Sequence, residues 1–125
     1  MDVKQIVVAD DEPHIREVIA LKLSRGGYEV FQAADGQEAL ELCRELLPDL
    51  VITDYQMPFL SGLDFCINLQ SSPATAGIPV IMLTARGFDI SAQQQRSAGI
   101  TRLMSKPFSP AELLTVVREL SAAAV

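Results

Sequence analysis

A chain of 125 residues that is 49% hydrophobic, with mean hydropathy +0.24, is long and apolar enough for one domain with a buried core and is not a disordered segment. Its formal charge of −6 and pI near 4.6 repel a nucleic-acid backbone, so direct binding of DNA or RNA by this chain is not expected. No apolar run approaches the ~20 residues of a bilayer span, and the opening MDVKQ has no secretory hydrophobic segment, so the expected location is the cytoplasm, away from membranes.

Apolar stretches then alternate with amphipathic ones five times. QIVVAD (5–10) is continuous and β-branched, the pattern of a strand buried on both faces. PHIREVIALKLSRGG (13–27) shows helical spacing at Ile15, Val18, Ile19 and Leu23, with Pro13 suited to its first turn and Gly26-Gly27 to its end. YEVFQA (28–33) alternates, the mark of a more exposed strand. Asp35 and Glu38 predict a capping box for a helix running through Leu47 and stopped by Pro48.

LVITD (50–54) is the third strand, and a helix around Leu63–Leu69 leads into the polar loop SSPATAG. IPVIMLTA (78–85) is another continuous apolar strand. FDISAQQQRSAG (88–99) predicts a weak, loosely held helix, because it is polar and poor in large aliphatics. TRLMSK (101–106) supplies the last strand, and SPAE (109–112) a second capping box for a helix carrying Leu113, Val117 and Leu120. Cys43 and Cys66 stand alone within helical patterns, which predicts two small core residues rather than a metal or redox pair.

Strand and helix alternating through short links imply an α/β fold, a parallel sheet covered on both faces by right-handed crossovers. Five such units fill residues 1–125, so one domain without a separate output domain is expected. In an open parallel sheet the strands end on one side, where ligands bind. Asp10 and Asp11 follow the first strand, Asp54 the third, Thr84 the fourth and Lys106 the fifth. Three carboxylates gathered there repel one another, by roughly 4 kcal/mol for a pair about 4 Å apart. One lysine compensates a single charge, so a hydrated oxygen-seeking cation such as Mg²⁺ (or Mn²⁺) suits the remainder. Asp54, read as lying at the solvent rim, is then a candidate nucleophile for phosphoryl groups.

VVADDEP, LVITDYQMP, LTAR and SKPF, in this order at these strand ends, resemble the receiver domain of two-component response regulators over the whole chain. The resemblance implies a flavodoxin-like doubly wound fold of strand order 2-1-3-4-5. It implies Asp54 as phosphoacceptor, Asp11 as a direct Mg²⁺ ligand and Asp10 as the holder of a metal-bound water. Gln56 matches the position whose backbone carbonyl completes the metal site. Thr84 matches the mobile hydroxyl, with small Ala85 leaving it room, and Lys106 the phosphate-contacting lysine, joined to a cis Pro107. Gln56 and Arg86 match positions that tune hydrolysis.

The resemblance further implies a phosphoacceptor switch rather than an enzyme. Phosphate would come from a sensor histidine kinase or histidine phosphotransfer protein, and the switch would act on a downstream protein target. One departure stands out: Leu103 occupies the place of the family's usual inward-turning Tyr or Phe, so the signal would leave by another route, with 88–99 the candidate. His14 is expected on a helix surface, and Tyr55 and Phe59 packed over the site. Two rival readings are a receiver-like interaction module that does not use phosphorylation and a metal-dependent phosphatase with an aspartyl nucleophile. Gln56 weakens the latter, standing where such enzymes place a general acid.

Overall fold

Five short strands lie parallel in one sheet ordered β2-β1-β3-β4-β5, as expected for the doubly wound fold. The computed structural model describes residues 3–85 and 90–123. The strands are β1 (Gln5–Ala9), β2 (Glu29–Ala33), β3 (Leu50–Asp54), β4 (Val80–Thr84) and β5 (Ile100–Ser105). The helices between and after them are α1 (Pro13–Arg25), α2 (Gly36–Leu46), α3 (Gly62–Gln70), α4 (Ala92–Ser97) and α5 (Pro110–Ala123).

Alternation along each strand divides the core in two. Ile6, Val8, Leu50, Ile52, Ile81 and Leu83 face α1 and α5, where they meet Ile19, Leu23, Leu113 and Val117. Val7, Ala9, Val51, Val80 and Met82 face the opposite layer and pack on Leu40 and Cys43 of α2 and on Phe65, Cys66 and Leu69 of α3. Central β3 and β4 are buried throughout, whereas edge strands β2 and β5 are partly exposed. Both cysteines are buried and free, and burial pushes their thiols up to about 12, so they are packing residues and not nucleophiles.

The ends of the elements follow local chemistry. Asp35 accepts a hydrogen bond from the Glu38 amide, while Glu38 reaches back to the Ala34 amide rather than to that of Asp35. Pro110 begins α5 behind Ser109, whose hydroxyl accepts from the Glu112 amide. Gly27 takes the left-handed conformation just past α1.

Three expectations shift. Of the weak helix expected over 88–99, residues 88 and 89 lie outside the described residues, and within 90–99 it spans the six residues of α4, opened by a reciprocal capping box between Ser91 and Gln94 and tied to the core through Ile90 and Ala98. Val18 is 39% exposed rather than core, because the apolar stripe of α1 is wider than the surface it covers. In β5, Thr101 is an extra residue opposite β4: Val80 pairs Ile100 and Ile81 pairs Arg102, while the Thr101 hydroxyl accepts from the Val80 amide.

Candidate functional site

The sheet brings together residues that lie far apart along the chain. β1 delivers Asp10 and Asp11, its neighbour β3 delivers Asp54, and β4 delivers Thr84 beside Lys106, whose amide donates to the Thr84 carbonyl at 2.8 Å. One carboxylate oxygen each from Asp10, Asp11 and Asp54 lies within 4.8 Å of the others. A cavity of about 280 Å³ opens above them, lined by Asp11, Glu12, Asp54, Tyr55, Gln56, Thr84, Ala85 and Lys106.

Asp10 and Asp54 are buried, at 0% and 6% exposure, and Asp11 is exposed at the mouth. Asp54 therefore lies in the cavity and not at the rim; the rim carboxylate is Asp11. Lys106 reaches Asp54 Oδ1 at 3.0 Å and stands 3.9 Å from Asp10 Oδ2. Asp10 Oδ1 accepts from the Glu12 amide at 2.9 Å, which fixes the carboxylate, while buried Oδ2 has no hydrogen-bond partner among the described residues.

Burial disfavours charge on Asp10 and raises its pKa, and the neighbouring Asp54 adds to this against the Glu12 amide and Lys106. Burial likewise raises Asp54, with Lys106 pulling the other way. For Lys106, burial acts downward, yet the hydrogen bond and charge of Asp54, with Asp10 and Glu12 behind, hold it above the ordinary lysine value. Among the described residues, the site thus carries more negative charge than its single ammonium offsets.

A divalent cation fits this donor set. Three convergent carboxylates supply hard oxygen ligands, and the partnerless Asp10 Oδ2 marks a buried acceptor suited to a cation or its bound water. Gln56, exposed two residues beyond Asp54, lines the same cavity.

Most of the residues singled out from the sequence meet here. Arg86 lies outside the described residues. The Lys106–Pro107 peptide is cis. Leu103 sits deeper, half-buried against the core layer of α2 and α3 and away from the cavity lining. His14 is exposed on α1, as expected, whereas Phe59 is 91% exposed instead of covering the site. A backbone turn at Phe59, with positive φ, directs the ring outward.

Two contributors escape sequence reading. Glu12 lines the cavity and orients Asp10, a role hinted at only by its place after the acid pair. Arg16, one turn into α1, donates to the Asp10 carbonyl at 2.8 Å and to Gln32 Oε1 at 3.1 Å, so it ties the acidic loop to the end of β2. Its side-chain reach depends on tertiary geometry that no spacing reveals.

The sequence profile described as "Response regulator receiver domain" matches residues 6–118. The chain belongs to the receiver domain family of response regulators. This receiver is 39% identical over 111 residues to the phosphate regulon transcriptional regulatory protein PhoB of Pseudomonas aeruginosa, covering 89% of the chain and 48% of that protein. The chain spans about half the length of the curated relatives it matches. Among solved structures, chemotaxis response regulator CheY4 of Vibrio cholerae superposes with a TM-score of 0.87 at 30% identity, over 94% of this chain and 98% of that one. The receiver domain of sensor histidine kinase PA1611 from Pseudomonas aeruginosa has magnesium coordinated in its active-site cleft; it superposes with a TM-score of 0.86 at 26% identity, over 96% and 98%. No helix among the described residues is long and apolar enough to cross a membrane.

Proposed function

We propose that this receiver accepts a phosphoryl group on Asp54 from a phosphohistidine of a sensor kinase or phosphotransfer protein, and that the phosphorylated form changes its affinity for a protein target. The observation that carries this reading is Asp54 buried at 6% exposure, hydrogen-bonded to Lys106 at 3.0 Å, in one cavity with Asp11 and Thr84 and with the buried Asp10 carboxylate close behind. The magnesium in the cleft of the PA1611 receiver supports a magnesium role here.

In transfer, a carboxylate oxygen of Asp54 forms a bond to phosphorus as the phosphorus–nitrogen bond of the donor breaks. The electron pair returns to the imidazole, which takes a proton from solvent. Lys106 would offset charge on the transferred oxygens, and Thr84, which lines the same cavity, would donate its hydroxyl to one of them. Asp10, Asp11, Asp54 and the Gln56 carbonyl would hold Mg²⁺, which supplies Lewis-acid neutralisation of phosphoryl charge when bound. Discharge is attack by water on phosphorus, which regenerates the Asp54 carboxylate and releases inorganic phosphate. Gln56 lines this approach, and we assign it, with Arg86 by sequence position, to tuning the lifetime.

This is a switch and not a turnover enzyme: its substrate is its own side chain. Intact-mass measurement after incubation with acetyl phosphate and Mg²⁺ tests it. The expected result is one added phosphoryl group, lost when Mg²⁺ is chelated and absent in Asp54→Asn. A wild-type chain that stays unmodified would refute phosphoryl acceptance.

A further inference from the structure

Phe59 is the most exposed large hydrophobic residue among those described, at 91%, against 53% for Leu21 and 51% for Leu47. Its backbone is as unusual as its exposure. The Leu60 amide donates to the Pro58 carbonyl at 2.8 Å, and the residue between them, Phe59, has φ +68°. A hydrogen bond spanning two residues around a positive φ is the rarer and more strained form of the γ-turn. A bulky side chain is poorly suited to it, whereas glycine or asparagine takes positive φ with less strain.

The free chain gains little from this arrangement. The ring buries almost nothing, so no packing offsets the backbone strain. The turn is nonetheless firmly held. The Gly62 amide donates to the Tyr55 carbonyl at 2.8 Å, and Gly36 and Gly62 let the chain press against Leu60 and Asp54. A ring carried on a braced backbone leaves little main-chain freedom to lose on contact, and an aromatic side chain has only two torsions of its own to order, which favours an anchor residue.

Its position selects the partner. Phe59 lies five residues beyond Asp54, in the loop whose flanking residues Gln56, Met57, Pro58 and Ser61 wall a groove beside Asp11, at the mouth of the acidic cavity. A small phosphoryl donor enters the cavity without meeting the ring. A protein donor that lowers a phosphohistidine onto Asp54 has to cover this mouth and its flanking loop.

We propose that Phe59 is the specificity anchor for the phosphohistidine-bearing donor protein, inserting into an apolar pocket beside the donor's histidine. The inference rests on the phosphoryl-acceptor reading given above and names the contact that distinguishes a protein donor from a small one.

The test uses two donors on the same chain. Acetyl phosphate with Mg²⁺ is the small donor. The protein donor is the fastest among the autophosphorylated histidine-kinase cores and phosphotransfer proteins of the source genome. Phe59→Asn should take phosphate from acetyl phosphate within roughly twofold of the wild-type rate, and its thermal midpoint should equal or exceed that of wild type. Its kcat/KM with the protein donor should fall at least about tenfold, mainly through KM, the loss typical of a buried aromatic anchor. Phe59→Tyr, which keeps the ring, should stay within about threefold. Transfer from the protein donor to Phe59→Asn at the wild-type rate overturns the proposal, and so does equal loss from both donors. A wild-type chain labelled by acetyl phosphate but by no protein of the panel overturns it too. A wild-type chain that acetyl phosphate does not label refutes instead the acceptor reading beneath it.

Discussion

Asp10 carries two oxygens with different fates, and the difference defines the site. Oδ1 is fixed by the Glu12 amide, so Oδ2 is directed to a buried place where, among the described residues, only Lys106, at 3.9 Å, partly answers its charge. Gly62 shows equal dependence on one atom, or rather on its absence. A Cβ there would collide with the Asp54 carbonyl oxygen and come within 3.0 Å of the Tyr55 Cα, backbone atoms that cannot step aside. Gly62→Ala is therefore expected to cost about 3 kcal/mol, the upper end for over-packing. On a chain of this length that lowers the thermal midpoint by roughly 10 °C. The displaced loop would also move Asp54, so phosphorylation by acetyl phosphate should slow in protein that remains folded. Differential scanning calorimetry beside intact-mass kinetics measures both effects, and an alanine variant as stable and as reactive as wild type would remove Gly62 from this role.

Among the elements, the well-read ones have strong local signals. The continuous β-branched runs at 50–54 and 78–85 have no soluble alternative to a central parallel strand, and the polar residues at their ends, Asp54 and Thr84, followed automatically. Pro13 and Pro110 mark helix starts because the ring suits the first turn and no later one. What escaped was set by contacts between elements: the γ-turn at Phe59, the reach of Arg16 across to β2, and the extra residue Thr101 in β5. The spacing of Ser91 and Gln94 does carry a capping signal, but a polar segment with so few apolar residues gives no periodicity to measure its length. The same poverty makes α4 the element most easily moved. None of its six helical residues is buried, and its layer is anchored through Ile90 and Ala98 to the core that also receives Leu103. A phosphoryl group engaging Thr84 would fix the strand end from which this segment hangs. Amide exchange across 90–99 should then slow at least threefold or so on phosphorylation, while α2 exchanges as before. Unchanged rates in 90–99 would mean that the signal does not leave by this route and that Leu103 transmits it elsewhere.

For the whole molecule, the site's electrostatics become a dependence of stability on pH and magnesium. Asp10 and Asp54 titrate higher in the folded chain than in the unfolded one, where a carboxyl has its ordinary value of 3.8, and burial is the main cause in both. The folded state therefore binds protons more readily than the unfolded state. The resulting stabilisation is complete below the unfolded value and disappears as pH rises through the raised folded values. Above those raised values both side chains are charged and the metal-free chain is less stable than it would be without them. Lys106, held above the usual lysine value, withdraws its own contribution only in the alkaline range and leaves this window unaffected. Mg²⁺ held by these carboxylates, as proposed, should reverse the loss where they are ionised. At about 100-fold excess over its Kd it should add ~2.7 kcal/mol, or roughly 10 °C in thermal midpoint near pH 7. The increment should shrink as pH falls through the raised values of Asp10 and Asp54 and protons compete for the same oxygens. Asp10→Asn separates this account from nonspecific screening by salt. Removing one charge from the acidic cluster should raise the metal-free midpoint where the carboxylates are ionised and remove most of the response to Mg²⁺, while leaving the response to NaCl unchanged. If Asp10→Asn keeps a full magnesium response, the cation binds elsewhere and the orphaned oxygen is not its ligand.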